Sequence, residues 1–305
     1  MGTPAAAALS LQRIIDDGHE VAAVYVQPDR PSGRGNKIVY SPVKELALKS
    51  GLALHQPAKI RTIEAAEEFR AHNADAAVVV AYGRILPEDF LYAFPNGAIN
   101  LHFSMLPKYR GAAPVNWAIV NGETTTGITT IKMDTGLDTG DVLIAREIGI
   151  GSMETAPELM GRLALLGSDV LSETLKRISE LRPIPQDDSL ATFAPIMKRE
   201  DGLIDWSRSA AEIVNRVRGF QPFPGSYTFY QGKKIVIWSA QAAGEMESDA
   251  LPGTILKTGD GNFSVAAGGN GLLEIDEVQF EGKRRMSVRD ALNGVRIEPG
   301  ERFGG

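Results

Sequence analysis

The hydropathy pattern of this chain changes character near residue 182, and the change bounds the folds open to it. Before that point, helical stripes alternate with short β-rich runs. Leu9, Leu11, Ile14 and Ile15 form a stripe that Gly18 is placed to end. Residues 21–26 are β-rich and closed by Pro28. Ser41 and Pro42 read as a helix N-cap and first helical residue, with Gly51 just past the end. Residues 76–81 (AAVVVA) are continuously apolar, as a strand covered on both faces should be. Pro95, Asn96 and Gly97 turn into a strand carrying Asn100 and His102. Thr155 and Glu158 make a capping box for a helix running to about Leu181. Such alternation predicts an α/β domain: a Rossmann-like, mostly parallel sheet with helices on both faces.

Past that point, residues 182–189 (RPIPQDDS) read as a polar, proline-bearing linker. A short helix is expected around residues 210–217. Short β-prone runs follow at 225–230, 234–238, 253–256, 262–266 and 272–279, separated by turns such as GDGN and GGNG. Strands this short and close predict a small closed β-barrel of the OB type. The 305 residues, about twice the usual domain length, suit two domains. The expected division is 1–182, a linker over 183–198, and 199–305.

Apolar content of 43% and charged content of 23% are ordinary for a soluble globular chain. No run of ~18 apolar residues is present, so a membrane partner is not expected. No basic stretch followed by an apolar core opens the chain, so a signal peptide is not expected. Cysteine is absent, which removes disulfides, thiolate catalysis and the usual structural zinc sites and fits a reducing, cytoplasmic setting. The four histidines are dispersed without ligand spacing, so no metal is expected. A net charge of -6 leaves a nucleic-acid partner open, because binding depends on where the basic residues cluster.

Asn100 and His102 stand two apart in a strand-like run, so they share one face. Asp138 follows in the glycine-bounded loop LDTG. Taken on spacing alone, His102 reads as a satisfied histidine at a strand end, Asn100 as a turn residue and Asp138 as a loop aspartate. Their company raises the functional reading. SMLP (Ser104, Met105, Leu106, Pro107) sets a hydroxyl, apolar walls and a rigid proline directly after the histidine, and KYRGAAPVNWA adds two cations and a helix start at Pro114. Ligands bind open α/β sheets at strand ends and the loops after them. An amide donor, a titratable ring and a carboxylate are the parts needed to move an acyl group onto a nucleophile.

These residues resemble the folate-dependent formyltransferases. The likeness rests on NLHFSMLPKYRGAAPVNWAIVNGE with TGITTIKMDTGLDTGDVL. Within that superfamily, residues 27–37 (QPDRPSGRGNK), SPVK, VVVAYGRILP, IDWSRSA and FQPFPGSY resemble the methionyl-tRNA formyltransferases, so the likeness covers nearly the whole chain. It implies transfer of a formyl group from 10-formyltetrahydrofolate to the α-amino group of methionine on initiator tRNA, in translation initiation. It implies Asn100, His102 and Asp138 as catalytic residues, with the first proton acceptor left open between His102 and Asp138. It implies Ser104, Met105, Leu106 and Pro107 as a folate wall, with Val80, Tyr82, Ile85 and Leu86 beside it. Arg30, Arg34 and Lys37 would meet the tRNA acceptor arm, and Lys233 and Lys234 its backbone from the barrel. Outside the resemblance, both basic groups read as solvated loops, as do Arg216, Arg218, Lys283, Arg284 and Arg285. A monomer is expected.

The sequence departs from the family pattern at its start. The family opens with a strand of about six residues ahead of Gly-Thr-Pro, whereas Gly2 here follows Met1 directly. The first strand is therefore missing, and a native polypeptide longer at its N-terminus is the expectation. Phe103, Met105 and Asn36 are milder departures. Two other readings stay open: a formyltransferase acting on a nucleotide sugar or purine precursor, and a non-catalytic RNA-binding protein.

Overall fold

The strand Ala98–His102 is buried at every position. It pairs in parallel with Ala77–Val79 and antiparallel with Thr125–Lys132, to which Asp141–Gly149 is added antiparallel. The computed structural model to which these elements belong describes residues 1–29, 31–32, 37–246, 250–259 and 262–304. Two compact units result. One comprises Met1–Pro114, Thr125–Gly149 and Met160–Ala194; the other comprises Val115–Thr124, Ile150–Leu159 and Pro195–Gly305.

The first unit is mixed α/β, with parallel pairings that include Ala77–Val79 with Ala98–His102 and Val24–Tyr25 with Leu54–His55. The strands after Ala98–His102 are antiparallel instead. Only residues 133–140 separate the Thr125–Lys132 strand from Asp141–Gly149, which is too short for a parallel crossover. Helices Ala5–Asp16, Pro42–Lys49, Ile63–Arg70 and most of Ala156–Lys176 belong to this unit. Ser41 caps its helix by accepting from the Lys44 N–H, and Thr62 does the same for Ala65. Glu158 reaches back to accept from the Thr155 N–H and hydroxyl, as in one half of the expected box, and the helix ends at Lys176, short of Leu181.

Two expected elements differ in detail. Helix Ala5–Asp16 buries Ala6, Ala7 and Ser10, while Leu9 is 41% exposed. Of residues 21–26, only Val24–Tyr25 joins a ladder. Val21, Ala22 and Ala23 instead line an apolar cavity of about 150 Å³, with Leu11, Ile14, Ala77, Val78 and Phe94 among its other walls. At one end of it Gly2 donates to the Tyr25 carbonyl (3.0 Å), and Val80 donates to that of Met1 (2.9 Å).

Residues 183–194, within the expected linker, pack in the first unit. Phe193–Ala194 pairs in parallel with Arg110–Gly111, and Ile184 bridges Val142.

The second unit is an antiparallel sheet in the order Ser226–Tyr230, Lys233–Glu245, Gly271–Phe280, Asn262–Ala266, Ile255–Gly259, with Met286–Ser287 beside Gly271–Phe280. Gln231 and Gly232, both at positive φ (48° and 72°), make the two-residue turn that the twist of a tight hairpin favours. Its outer strands are joined by the end of the chain. Ile255 donates to the Glu301 carbonyl, Phe303 to that of Gly253, and Gly304 to that of Phe229 (2.8–2.9 Å). These bonds close the sheet into a barrel by covering its outer strands. Trp206, Ile235, Phe263, Leu273 and Phe303 fill its interior, with Trp206 stacked on Phe303 at 5.7 Å.

Asp17, just past the first helix, accepts from Ser172 (2.5 Å) and Lys176 (2.9 Å) and pairs with Arg13 (3.2 Å). The Ser172 hydroxyl, then Lys176 and Arg13, hold this carboxyl well below the usual carboxylate range. A depressed folded-state pKa adds stability above the unfolded value of about 3.9, and that stability is lost as pH falls toward the folded value. Asp17→Asn is therefore expected to lower the urea midpoint at pH 7. The gap to wild type should shrink steadily below about pH 4. A gap unchanged at low pH would show that Asp17 contributes through packing instead.

Candidate active site

Three polar side chains meet at the end of the Ala98–His102 strand. Asn100 (8% exposed) and His102 (5%) lie on the same face of a strand that is otherwise apolar. Asp138 comes from the loop between Thr125–Lys132 and Asp141–Gly149, at a φ of +54°. A non-glycine residue held in this left-handed region costs of order 1–3 kcal/mol, a conformation that the surroundings must maintain. Asn100 Nδ2 donates to Asp138 Oδ1 at 3.5 Å, and His102 Nδ1 lies 3.6 Å from Asp138 Oδ2. His102 Nε2 is 3.0 Å from the Tyr109 carbonyl, which can only accept. Nε2 therefore carries a hydrogen, and Nδ1, the nitrogen facing Asp138, is the one that can exchange a proton.

The carboxylate is oriented by backbone as well. Gly111 N–H donates to Asp138 Oδ2 at 2.8 Å. Gly111 sits at φ +125°, and a Cβ there would lie 2.6 Å from the Ala194 carbonyl oxygen. Asp134 braces the loop by accepting from Gly136 N–H (3.0 Å) and Thr139 Oγ1 (2.6 Å).

Two further residues enter the site that the sequence reading did not assign to it. Gln186 Nε2 donates to the carbonyls of Asp138 (2.8 Å) and Gly140 (2.7 Å). Its Oε1 accepts from Arg110 Nε (3.1 Å) and Nη2 (2.8 Å). Arg110 is 4% exposed and also pairs with Asp188 at 2.7 Å. No local signal marks Gln186: it lies 48 residues from Asp138 in a polar, proline-bearing stretch.

The eight residues of the expected folate wall occupy different settings. Ser104 is fully buried and donates to the Lys108 carbonyl (2.6 Å), while its own carbonyl accepts from Thr129 Oγ1 (2.7 Å). Leu106 N–H donates to the same hydroxyl at 3.1 Å, and Leu106 is buried, with Met105 and Pro107 half-buried. Val80 faces the cavity beneath Met1 and Gly2. Tyr82 and Leu86 belong to the core with Phe69 and Phe90. The buried Tyr82 hydroxyl has no hydrogen-bond partner among the described residues. Ile85 is 67% exposed and lines an open cleft with Lys59, Ile60, Arg61 and Arg84.

Arg30 and Arg34 lie outside the described residues. Lys37 begins the short strand Lys37–Ile38, paired with Pro31–Ser32. In the barrel, Lys233 is exposed and Lys234 Nζ sits 3.8 Å over the Tyr227 ring. Their turn adjoins the one bearing Lys283, Arg284 and Arg285, for Glu281 N–H donates to the Lys234 carbonyl at 3.1 Å. Arg285 pairs with Glu277 and lies 5.2 Å over Trp238. Arg218 is a structural cation, 8% exposed and donating to the Gly151 and Glu154 carbonyls and to Asn215. Arg216 donates to the Asp201 carbonyl and lies over Phe220. Burial pushes both guanidiniums below their ordinary value.

Residues 1–175 match the formyl transferase family model, and residues 196–296 match the formyl transferase C-terminal domain. A methionyl-tRNA formyltransferase of Geobacter metallireducens is 48% identical over 306 residues, covering 100% of this chain and 97% of the relative. One of Acetivibrio thermocellus is 47% identical, covering 100% and 98%. The chain belongs to the methionyl-tRNA formyltransferase family. Among solved structures, the enzyme is similar in fold to WlaRD, a sugar 3N-formyl transferase, with a TM-score of 0.66, 19% identity and coverage of 93% and 97%. It is also similar to the methionyl-tRNA formyltransferase of Clostridium thermocellum, with a TM-score of 0.51, 21% identity and coverage of 65% and 86%.

Among the described residues, no cluster of His, Cys, Asp or Glu in this formyltransferase can hold a metal ion, and no helix is long and apolar enough to cross a membrane. The Gly111 contact is an exacting part of the site, since both its φ and the nearby Ala194 carbonyl exclude a side chain. Gly111→Ala is expected to lower stability by about 1–3 kcal/mol. It should also reduce formyl transfer, because the N–H that orients Asp138 must move. Chemical denaturation and turnover of the same preparation check both; an alanine tolerated without loss in either would show that this segment readily rearranges.

Proposed function

We propose that this enzyme transfers the formyl group of 10-formyltetrahydrofolate to the α-amino group of methionyl initiator tRNA, as a single subunit acting in the cytoplasm. The observation that carries the reading is the meeting of an amide donor, an imidazole and a carboxylate within 3.6 Å, in a chain whose relatives of matching length are named methionyl-tRNA formyltransferases. In the reaction the amine nitrogen attacks the formyl carbon and a tetrahedral oxyanion forms. The bond from that carbon to the folate nitrogen then breaks. One proton leaves the amine, and one reaches the departing folate nitrogen.

Asn100 Nδ2 is assigned to the developing oxyanion. Its contact to Asp138, at 3.5 Å, is long enough to exchange for a better acceptor. His102 Nδ1 and Asp138 Oδ2 are assigned to the proton's path. The opposite ring nitrogen, tied to Tyr109, keeps the imidazole in register. Ser104, Met105, Leu106 and Pro107, with Val80, Tyr82, Ile85 and Leu86, are assigned to the pterin. Support comes from the packing of the SMLP turn against Thr129, which fixes its backbone directly after His102. Arg30, Arg34 and Lys37, with Lys233 and Lys234 of the barrel, are assigned to tRNA phosphates. The last two gain support from their place beside the turn bearing Lys283 and Arg284.

Two measurements test this reading. In a formylation assay with charged initiator tRNA and 10-formyltetrahydrofolate, Asn100→Ala is expected to lower kcat by roughly 10²–10³-fold. His102→Ala and Asp138→Ala should lower it by roughly 10²–10⁴-fold. Near-normal turnover in all three would remove the site, and formylation of an amino-sugar nucleotide but not of tRNA would replace the acceptor. Separately, reversing Lys233 and Lys234 to Glu should weaken tRNA binding and flatten its salt dependence while leaving folate binding intact. Unchanged tRNA affinity would remove the barrel from the interface.

A further inference from the structure

We propose that Gln186 is a positioning residue for Asp138, and that the stretch leading to Phe193–Ala194 is built into the active site. The inference rests on the assignment of Asp138 to proton transfer. The geometry has two anchors. The Asp138 carboxylate is held by Gly111 N–H, and the carbonyl of the same residue by Gln186 Nε2, both at 2.8 Å.

The anchors are joined to each other. Arg110, adjacent to Gly111 in the chain, grips Gln186 Oε1 through Nε and Nη2. A closed circuit results, from the Asp138 carboxylate through Gly111, the Arg110 side chain and the Gln186 amide back to the Asp138 carbonyl. All four hydrogen-bonding positions of the Gln186 amide are used. That also fixes its orientation, since the flipped amide would face Arg110 with N–H groups and two carbonyls with oxygen. The clamp also holds Asp138 at its φ of +54°, a left-handed conformation that carries a cost for a non-glycine residue. Asp188 balances the Arg110 charge at 2.7 Å, so the circuit carries no unpaired buried cation.

A role confined to stability would also use these bonds, so the test reads the dependence on Asp138. Formylation kinetics and melting curves are measured for Gln186→Ala, Gln186→Glu, Asp138→Ala and the double variant Asp138→Ala/Gln186→Ala. Gln186→Ala is expected to lower kcat by roughly 10- to 100-fold, the effect of a catalytic group displaced by about an ångström. KM for both substrates should change by less than about threefold, since a transition-state interaction is what is lost. Gln186→Glu keeps the grip on Arg110 but turns oxygens toward both carbonyls, so it should be at least as slow. It also carries the comparison if Gln186→Ala melts below the assay temperature.

The double variant should be no slower than Asp138→Ala alone. The proposal is overturned if Gln186→Glu keeps wild-type kcat, or if Gln186→Ala causes the same fold loss with and without Asp138. Wild-type turnover in Asp138→Ala would instead overturn the assignment of Asp138 itself, a result that the single variant identifies without reference to Gln186.

Discussion

A strand buried along its whole length cannot hold an amide and an imidazole unless both find partners, and the first unit is arranged around that demand. The partner is one carboxylate, Asp138, reaching Asn100 at 3.5 Å and His102 at 3.6 Å. These are long contacts. They satisfy the groups loosely, whereas the bonds holding the carboxylate in place are short. The Gly111 N–H and the Gln186 amide, both at 2.8 Å, fix Asp138 from two directions. Firm bonds therefore lie one layer out from the proposed catalytic groups, and long contacts lie among them.

That layering explains why residues far apart in the chain are held together. The Arg110–Gly111 segment is paired with Phe193–Ala194 rather than with a neighbour in sequence. The Tyr109 N–H donates to Thr192 Oγ1 at 2.9 Å, and the Arg110 N–H to the Thr192 carbonyl at 2.9 Å. The same turn supplies the Tyr109 carbonyl that holds His102 Nε2. The Tyr109–Gly111 stretch thus reaches both His102 and Asp138 through backbone, and the segment after the long helix holds that stretch in place.

In the second unit the same economy appears in its cations. Arg218 is buried and spends its donors on backbone carbonyls and Asn215, while Lys233 projects into solvent at the end of a tight hairpin. Charge counts do not separate these two uses. Burial does, because a guanidinium taken out of water must be satisfied by the chain, and an exposed ammonium need not be. The barrel itself depends on its last residues, which join the outer strands through Glu301, Phe303 and Gly304.

Much of this was legible in the sequence. The α/β pattern, the antiparallel second half and the helix caps at Ser41 and Thr155 follow from local rules of periodicity and capping, which act over a few residues. The shared face of Asn100 and His102 follows from the two-residue period of a strand, and the family from motifs spread along the chain. The tertiary structure alone decided the rest: which carboxylate oxygen meets which nitrogen, that Arg218 is structural, and that Gln186 and Arg110 hold the Asp138 loop. It also decided that the strands after Ala98–His102 run antiparallel and that residues 183–194 pack within the first unit. The physical reason is common to all of these. Each depends on hydrogen bonds or packing between segments distant in sequence, and no local preference of glutamine, arginine or glycine encodes the partner that burial will force upon it.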